Sequence, residues 1–307
     1  MNPITILTGP TAAGKSNLAL ELASKHIPSC EIISADSILV YKDIDIGSAK
    51  PSKDELSRIP HHLIDLVEPD QSFTVGDYLK AVSALLENSA MTNRHFLIVG
   101  GAPFYVRALL FGMWATAPSD PDLRASLENL SSEELFLELE AVDPSSASRN
   151  GRHDSYRLIR AVEVFRTSGK TPSQLQTRMP TEPDPRFRLM VVDRSDADLH
   201  ARIDQRTALM LQRGLIDETK MLLEHYPESR ILKSVGYEQT ADFLAGRMPS
   251  GRKLSPGLEG LHAEICLATR QLVKHQRTWF RSLLKKVPNS KVFRLPEEHT
   301  RLLGEFS

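Results

Sequence analysis

The chain has 307 residues, 41% of them hydrophobic and 25% charged, and its 38 Lys and Arg against 39 Asp and Glu leave a formal net charge of −1. That composition belongs to a soluble globular protein with one large domain or two smaller ones, and excludes a disordered or fibrous chain. With no overall positive charge, any contact with nucleic acid must come from a local basic face. Cys30 and Cys266 are the only cysteines; they show no zinc-like or redox spacing and read as reduced thiols of a cytoplasmic protein. Met1-Asn2-Pro3 runs directly into apolar sequence, which leaves no room for a signal peptide, and no apolar stretch approaches the length of a membrane span.

Ile4-Thr5-Ile6-Leu7 reads as a short buried strand, and Ser16 to Leu22 opens a helix. Between them, Gly9-Pro10-Thr11-Ala12-Ala13-Gly14-Lys15-Ser16 fills every fixed position of the G-x-x-x-x-G-K-[ST] phosphate loop. Glycines let the backbone turn tightly, so that successive N–H groups converge on a polyphosphate at the helix N-terminus. Lys15 is placed to bridge the outer phosphate oxygens and the Ser16 hydroxyl to ligate Mg²⁺.

Glu31 to Asp36 predicts a second strand ending in a carboxylate. The carboxyl ends of parallel strands line the ligand crevice, which sets Asp36 beside the loop. An irregular polar segment follows, Ser37 to Pro51, and then His61-His62, whose adjacency lacks the spacing of a helical metal pair and favours hydrogen-bonded structural histidines. Phe73 to Asn88 predicts a helix with Tyr78, Val82, Leu85 and Leu86 on one face. His95 to Val99 predicts a third strand, ended by Gly100-Gly101 where a phosphate-hydrolysing enzyme would usually place an aspartate. The glycines suggest close backbone approach to a ligand.

From Pro118-Ser119-Asp120-Pro121 the texture changes: residues ~122–180 are helical in pattern, interrupted at Asp143-Pro144 and Asn150-Gly151, and strand signal resumes at Phe187 to Val192. The fold class expected is therefore α/β: a P-loop NTPase-like parallel sheet core formed by 1–117 and 183–307, with an inserted all-helical domain at 118–182. Arg157 and Arg160 share one helical face within the insertion. Leu199 to Leu211 predicts a helix on which Arg202 and Arg206 project together, and Lys233 to Glu238 a turn into a further helix. In the last long helix, about Glu264 to Lys286, Arg270, Lys274, Arg277 and Arg281 form a basic stripe with no acidic residue between Thr269 and Lys286 to neutralise it, which favours contact with a polyanion.

Taken together, the phosphate loop, Asp36-Ser37, Asp45-Ile46-Gly47-Ser48-Ala49-Lys50-Pro51, His61 to Asp65, Gly100-Gly101, Arg157 to Val164, Ser234 to Tyr237 and Thr269-Arg270 running into Gln276-Arg277-Thr278-Trp279 make the chain similar, along nearly its whole length, to the bacterial tRNA dimethylallyltransferase (IPP transferase) family. The resemblance implies a Mg²⁺-dependent transfer of a dimethylallyl group from its diphosphate to N6 of an adenosine beside the anticodon, by a monomeric cytoplasmic enzyme whose other partner is the tRNA anticodon stem-loop. It implies that Lys15 and Arg206 hold the departing diphosphate and that Asp36 accepts the N6 proton. It implies that the target base is extruded from its stack, into a channel whose donor side is lined by Thr11 through Ser16. RNA contacts implied in the same way are Asp36, Ser37, Ile38 and Leu39; Ala102; Arg124; Tyr156, Arg157, Leu158, Ile159 and Arg160; Lys233, Ser234, Val235, Gly236, Tyr237 and Glu238; and Lys274, His275, Gln276, Arg277, Thr278, Trp279, Phe280 and Arg281.

Some positions depart from the family pattern. Ala102-Pro103 follows Gly-Gly where a threonine is common, which removes a hydroxyl donor. Ser48 replaces the usual threonine and keeps the hydroxyl, and His275 stands where a basic residue is common. Two other enzyme classes explain the loop equally well: a small-molecule kinase using it for ATP, and a prenyltransferase acting on free adenylates. Neither accounts for the basic helix.

Overall fold

The computed structural model describes residues 3–25, 27, 29–89, 94–113, 120–177, 180–247 and 255–306. The chain divides into two compact units, one of Met1–Leu110 with Glu182–Ser307, the other of Phe111–Thr181. The 117/118 boundary expected from sequence lies outside the described residues.

The first unit begins with β1 (Ile4–Thr8), α1 (Lys15–Lys25), β2 (Cys30–Ser34), α2 (Lys53–Arg58), β3 (His61–His62), α3 (Val75–Ser89), β4 (His95–Val99) and α4 (Pro103–Phe111, whose last residue falls in the second unit). The second unit holds α5 (Pro121–Glu128), α6 (Ser132–Val142), α7 (Pro144–Asn150), α8 (Ser155–Ser168) and α9 (Pro172–Gln176). The chain then returns to the first unit with β5 (Phe187–Asp193), α10 (Asp196–Gln212), α11 (Leu215–His225), a 3₁₀ turn at Arg230–Lys233, α12 (Tyr237–Leu244), α13 (Gly257–Leu284), β6 (Lys291–Arg294) and α14 (His299–Leu303).

Among the described residues the strands form one sheet in the order β3-β2-β4-β1-β5-β6, every pair parallel. The central strands are apolar runs because helices cover both faces of such a sheet: Ile6, Leu7, Leu97, Ile98, Leu189 and Val192 have no exposed surface. The short edge strands β3 and β6 carry too little periodic signal to be read from sequence. As expected, the histidines of β3 are structural, His61 bonded through Nδ1 to the Ile59 carbonyl and His62 through Nε2 to Glu31.

β4 lies between β1 and β2, so the phosphate loop and Asp36 sit at the carboxyl ends of strands flanking Gly100-Gly101. Gly100 is required there by the protein itself, since a Cβ would come within 2.0 Å of the Ala35 carbonyl oxygen. The close approach read from sequence as being to a ligand is thus, at Gly100, to the neighbouring strand's backbone.

Helix α13 starts seven residues before the expected Glu264, because Leu261 and Ile265 extend its buried face onto a cluster with Val40, Ile44, Met210 and Tyr237. In the helical unit, Leu127, Leu135, Leu139, Leu158 and Val162 form a separate core. Asp143 ends α6 and caps α7 with Pro144 in the first turn, and Gly151 closes α7 at φ 71°.

Candidate active site

Gly9 leaves β1 at φ +151°, and a Cβ there would lie 2.0 Å from the Val192 carbonyl oxygen, so only glycine passes this close to β5. Ala12 at φ 63° and Gly14 at φ +91° complete the turn. The Lys15 ammonium folds back over the loop and donates to the carbonyls of Gly9, at 3.0 Å, and Pro10, at 2.8 Å. Ser16 is exposed in the first turn of α1.

Three arginines from the β5–α10 segment converge on the same loop. Arg194 donates through Nε to the Ala13 carbonyl at 2.8 Å and pairs with Asp198, and Arg202 donates through Nε to the Ala12 carbonyl at 2.8 Å. Arg206 reaches the Thr11 hydroxyl at 3.4 Å. The Nη2 groups of Arg194 and Arg202 lie 3.3 and 3.5 Å from where a Gly14 side chain would begin, so this glycine leaves space that two guanidinium ends border. Arg202 and Arg206 were visible in sequence as a shared face; Arg194, just past the β5 carboxyl end, carried no motif.

The charges feel one another. Burial lowers the Lys15 pKa to about 8, opposed by Asp36 and reinforced by Arg206. Burial likewise lowers Arg206, with Asp36 acting against it. Lys15, Asp36 and Arg206 are therefore gathered in one crevice, two buried cationic groups that both feel the Asp36 carboxylate. That excess of desolvated positive charge is the environment a polyphosphate neutralises. The Asp36 carboxylate also accepts from Ile38 N–H at 2.9 Å, which fixes its side chain at the turn after β2.

Gln276 of α13 completes the loop's support. Its Oε1 accepts from Thr11 N–H at 2.9 Å and its Nε2 donates to the Gly101 carbonyl at 3.0 Å, with the side chain buried. The sequence reading places Gln276 on RNA; the structure gives it to the loop. Arg277 is likewise engaged, by Asp193 at 2.9–3.0 Å, by Asp196, and by the Arg194 carbonyl. Within the basic stripe Arg277 thus has neutralising acids, which come from β5 and α10 rather than from its own helix. Arg270, Lys274 and Arg281 remain exposed, with His275 and Thr278 beside them.

Several expected RNA contacts are core residues. Phe280 is 2% exposed, Tyr237 1%, Leu158 0% and Ile159 7%, which removes them from direct contact with a macromolecule. Helical periodicity separates Leu158, Ile159 and Phe280 from their exposed neighbours, but a contiguous run taken by resemblance ignores it. Gly236 is buried as well, turning at φ +99° with its N–H held by Gln239. Lys233 and Glu238 are exposed; Ser234, Val235, Ile38, Leu39, Ala102 and Trp279 are partly covered; Ser37 is exposed. Ala102 N–H donates to the Ala35 carbonyl at 3.1 Å.

In the helical unit Tyr156 and Arg157 are exposed. Arg157 pairs with Asp154, Arg160 with the fully buried Glu163 at 2.7 Å, and Arg124 with Glu128 at 3.1 Å while its guanidinium lies over the Tyr156 ring.

The Asp45 to Pro51 motif also has a physical account. The Glu218 carboxylate accepts from the N–H groups of Asp45, Ile46 and Gly47 at 2.8–2.9 Å and from the Tyr237 hydroxyl. Gly47 is obligatory because a Cβ would sit 2.3 Å from the Tyr237 ring. Lys50 is covered and binds Asp45, Asp65 and the Tyr41 carbonyl.

Comparison with known proteins then decides the family. The family model described as "IPP transferase" matches residues 39–283. The chain belongs to the IPP transferase family. Relatives match most of this chain: "tRNA dimethylallyltransferase" of Rippkaea orientalis is 39% identical over 91% of this chain and 90% of that one, and "tRNA dimethylallyltransferase 1" of Citrifermentans bemidjiense 36% over 90% and 88%. Among solved structures, the tRNA isopentenylpyrophosphate transferase of Bacillus halodurans superposes with TM-score 0.68 at 27% identity, covering 99% of this chain and 95% of the other. A eukaryotic dimethylallyltransferase, solved acting on tRNA, shares the fold with TM-score 0.82 at 24% identity over 96% of this chain and 74% of that one. No helix among the described residues is long and apolar enough to cross a membrane.

Proposed function

We propose that this enzyme transfers the dimethylallyl group of dimethylallyl diphosphate to N6 of the adenosine 3′ to the anticodon in tRNAs that read codons beginning with U. The observation that carries the reading is the crevice at the strand ends, where Lys15 and Arg206 share the Asp36 carboxylate above a loop braced by Arg194, Arg202 and Gln276.

An allylic C–O bond breaks readily once charge on the departing oxygen is stabilised. The loop amides, Lys15 and Arg206 are fixed before reaction, so they stabilise that developing charge without reorganising. N6 of adenine attacks the allylic carbon as the C–O bond breaks, and its proton passes to the Asp36 carboxylate. Diphosphate leaves intact, bound to the loop. The Ser16 hydroxyl, exposed in the first turn of α1, is a hard oxygen donor of the kind that suits Mg²⁺; when bound the ion would add charge neutralisation on the diphosphate.

RNA contacts remaining in this account are the exposed groups: Ser37, Lys233 and Glu238, then Arg270, Lys274, His275, Thr278 and Arg281 on α13, and Tyr156 and Arg157 in the helical unit, which serves as a tRNA clamp. In this account the enzyme works as a monomer in the cytoplasm, with tRNA as its partner. The test is incubation with labelled dimethylallyl diphosphate, Mg²⁺ and an anticodon stem-loop in the absence of ATP. Label on N6 of the adenosine supports the reading. Label on free adenosine nucleotides in preference to RNA, or phosphorylation dependent on added ATP, would overturn it.

A further inference from the structure

Away from the crevice, α10 and α13 bring together three side chains with metal-ligand chemistry. His262 and Cys266 lie one turn apart on α13, and Asp204 faces them from α10. One donor atom from each lies within 4.8 Å of the other two. The Cys266 sulfur is 3.9 Å from the His262 ring nitrogens, and His262 Nε2 is 3.7 Å from Asp204 Oδ1. A tetrahedral zinc with bonds of about 2.0–2.3 Å needs neighbouring donors roughly 3.3–3.8 Å apart. The His262–Asp204 carboxylate separation falls within that range, the Cys266–His262 separation lies just beyond it, and the remaining pair lies within 4.8 Å, while His262 Nε2 also sits 3.2 Å from the Asp204 backbone carbonyl, a contact that metal binding would replace.

We propose that Asp204, His262 and Cys266 form a zinc site of the N,S,O type, with water or a further ligand in the fourth position. Two features support it beyond proximity. Cys266 is buried while Asp204 is exposed and His262 partly so, which gives a thiolate ligand in a dry setting and an entry path from solvent. The donor set is also selective: a thiolate and an imidazole suit Zn²⁺ and reject Mg²⁺, so this site would not compete for the ion expected at the phosphate loop.

Binding displaces the thiol proton to solvent and joins the two helices by coordinate bonds, with no change of oxidation state. The consequence is positional. Asp204 lies between Arg202 and Arg206 in sequence, while α13 carries Gln276, so the ion would tie together the two helices that brace the loop. A spacing search confined to the two cysteines misses the site, because its signal is the His-x-x-x-Cys pair within one helix plus a carboxylate from another. The proposal does not depend on the prenyl-transfer reading.

The test is titration of the chelator-treated, full-length protein with Co²⁺, whose thiolate-to-metal charge-transfer absorption reports a sulfur ligand. One equivalent of Co²⁺ should produce that absorption, and Zn²⁺ should abolish it by displacement. Cys30→Ser leaves Cys266 as the sole thiol and should retain the absorption in full; Cys266→Ser should lose it, and His262→Ala should weaken Co²⁺ binding at least tenfold. Absence of charge-transfer absorption in the unaltered protein would overturn the proposal and leave Cys266 as a packed, hydrogen-bonded thiol. So would an absorption that disappears in Cys30→Ser.

Discussion

Gln276 and Thr11 are 265 residues apart, yet the Gln276 carboxamide oxygen accepts the Thr11 backbone N–H at 2.9 Å. The same side chain holds Gly101, so one buried amide fixes the phosphate loop and the β4 turn to α13. Gln276→Ala leaves a loop donor and a carbonyl without partners in a covered setting, a loss of about 1–3 kcal/mol. The expected result is a rise in KM for the allylic diphosphate of roughly 5- to 100-fold, with RNA affinity nearly unchanged. A loss of RNA affinity with an unaltered donor KM would return Gln276 to the RNA surface.

Asp36→Asn keeps a side-chain oxygen for Ile38 N–H but removes the carboxylate proposed to accept the N6 proton. Turnover should fall by about 10²–10⁴-fold while the affinity for the anticodon stem-loop stays constant. Turnover comparable to the unaltered enzyme would take the base role from Asp36.

Lys15 supplies a pH dependence of defined sign. Its pKa is lowered from an ordinary 10.5 to about 8, chiefly by burial. Between those values the unfolded chain binds more protons than the folded one, so this group makes stability rise with pH across the window and not fall. Diphosphate binding has the opposite sense, since it selects the ammonium form. Donor affinity should decline above about pH 8 and binding should take up a proton there, measurable by calorimetry in buffers of different ionisation enthalpy. Lys15→Met should abolish the uptake.

Along α13 the exposed and engaged basic residues should behave differently. Arg277→Ala breaks charged hydrogen bonds to Asp193 and Asp196 and should cost about 1–3 kcal/mol of stability, read by denaturant unfolding. Lys274→Ala and Arg281→Ala should leave stability alone and each reduce the slope of log affinity against log salt for the stem-loop by about 1. A slope change confined to Arg277→Ala would reverse that division.

The sheet and the loop were legible because their signals are local. An apolar run, a glycine turn with Lys15 and Ser16, and a strand-end Asp36 each carry meaning within a few residues. The bracing of the loop was not, because Arg194, Arg202 and Gln276 act across separations of 175 residues or more. The neutralisation of Arg277 failed for the same reason: its acids lie 81–84 residues away on other elements. Tyr237 shows the converse, a residue recognisable by resemblance whose buried ring packs on Gly47 and whose hydroxyl serves Glu218. The Glu218 bonds to Asp45 through Gly47 had no trace in either segment alone.

The central claim is that the loop holds a leaving group and does not present a phosphate for transfer. The most direct measurement is the phosphorus product of a single turnover with dimethylallyl diphosphate and the stem-loop. The account predicts one intact diphosphate released for each adenosine alkylated at N6. Orthophosphate, or phosphate attached to the acceptor, would contradict it.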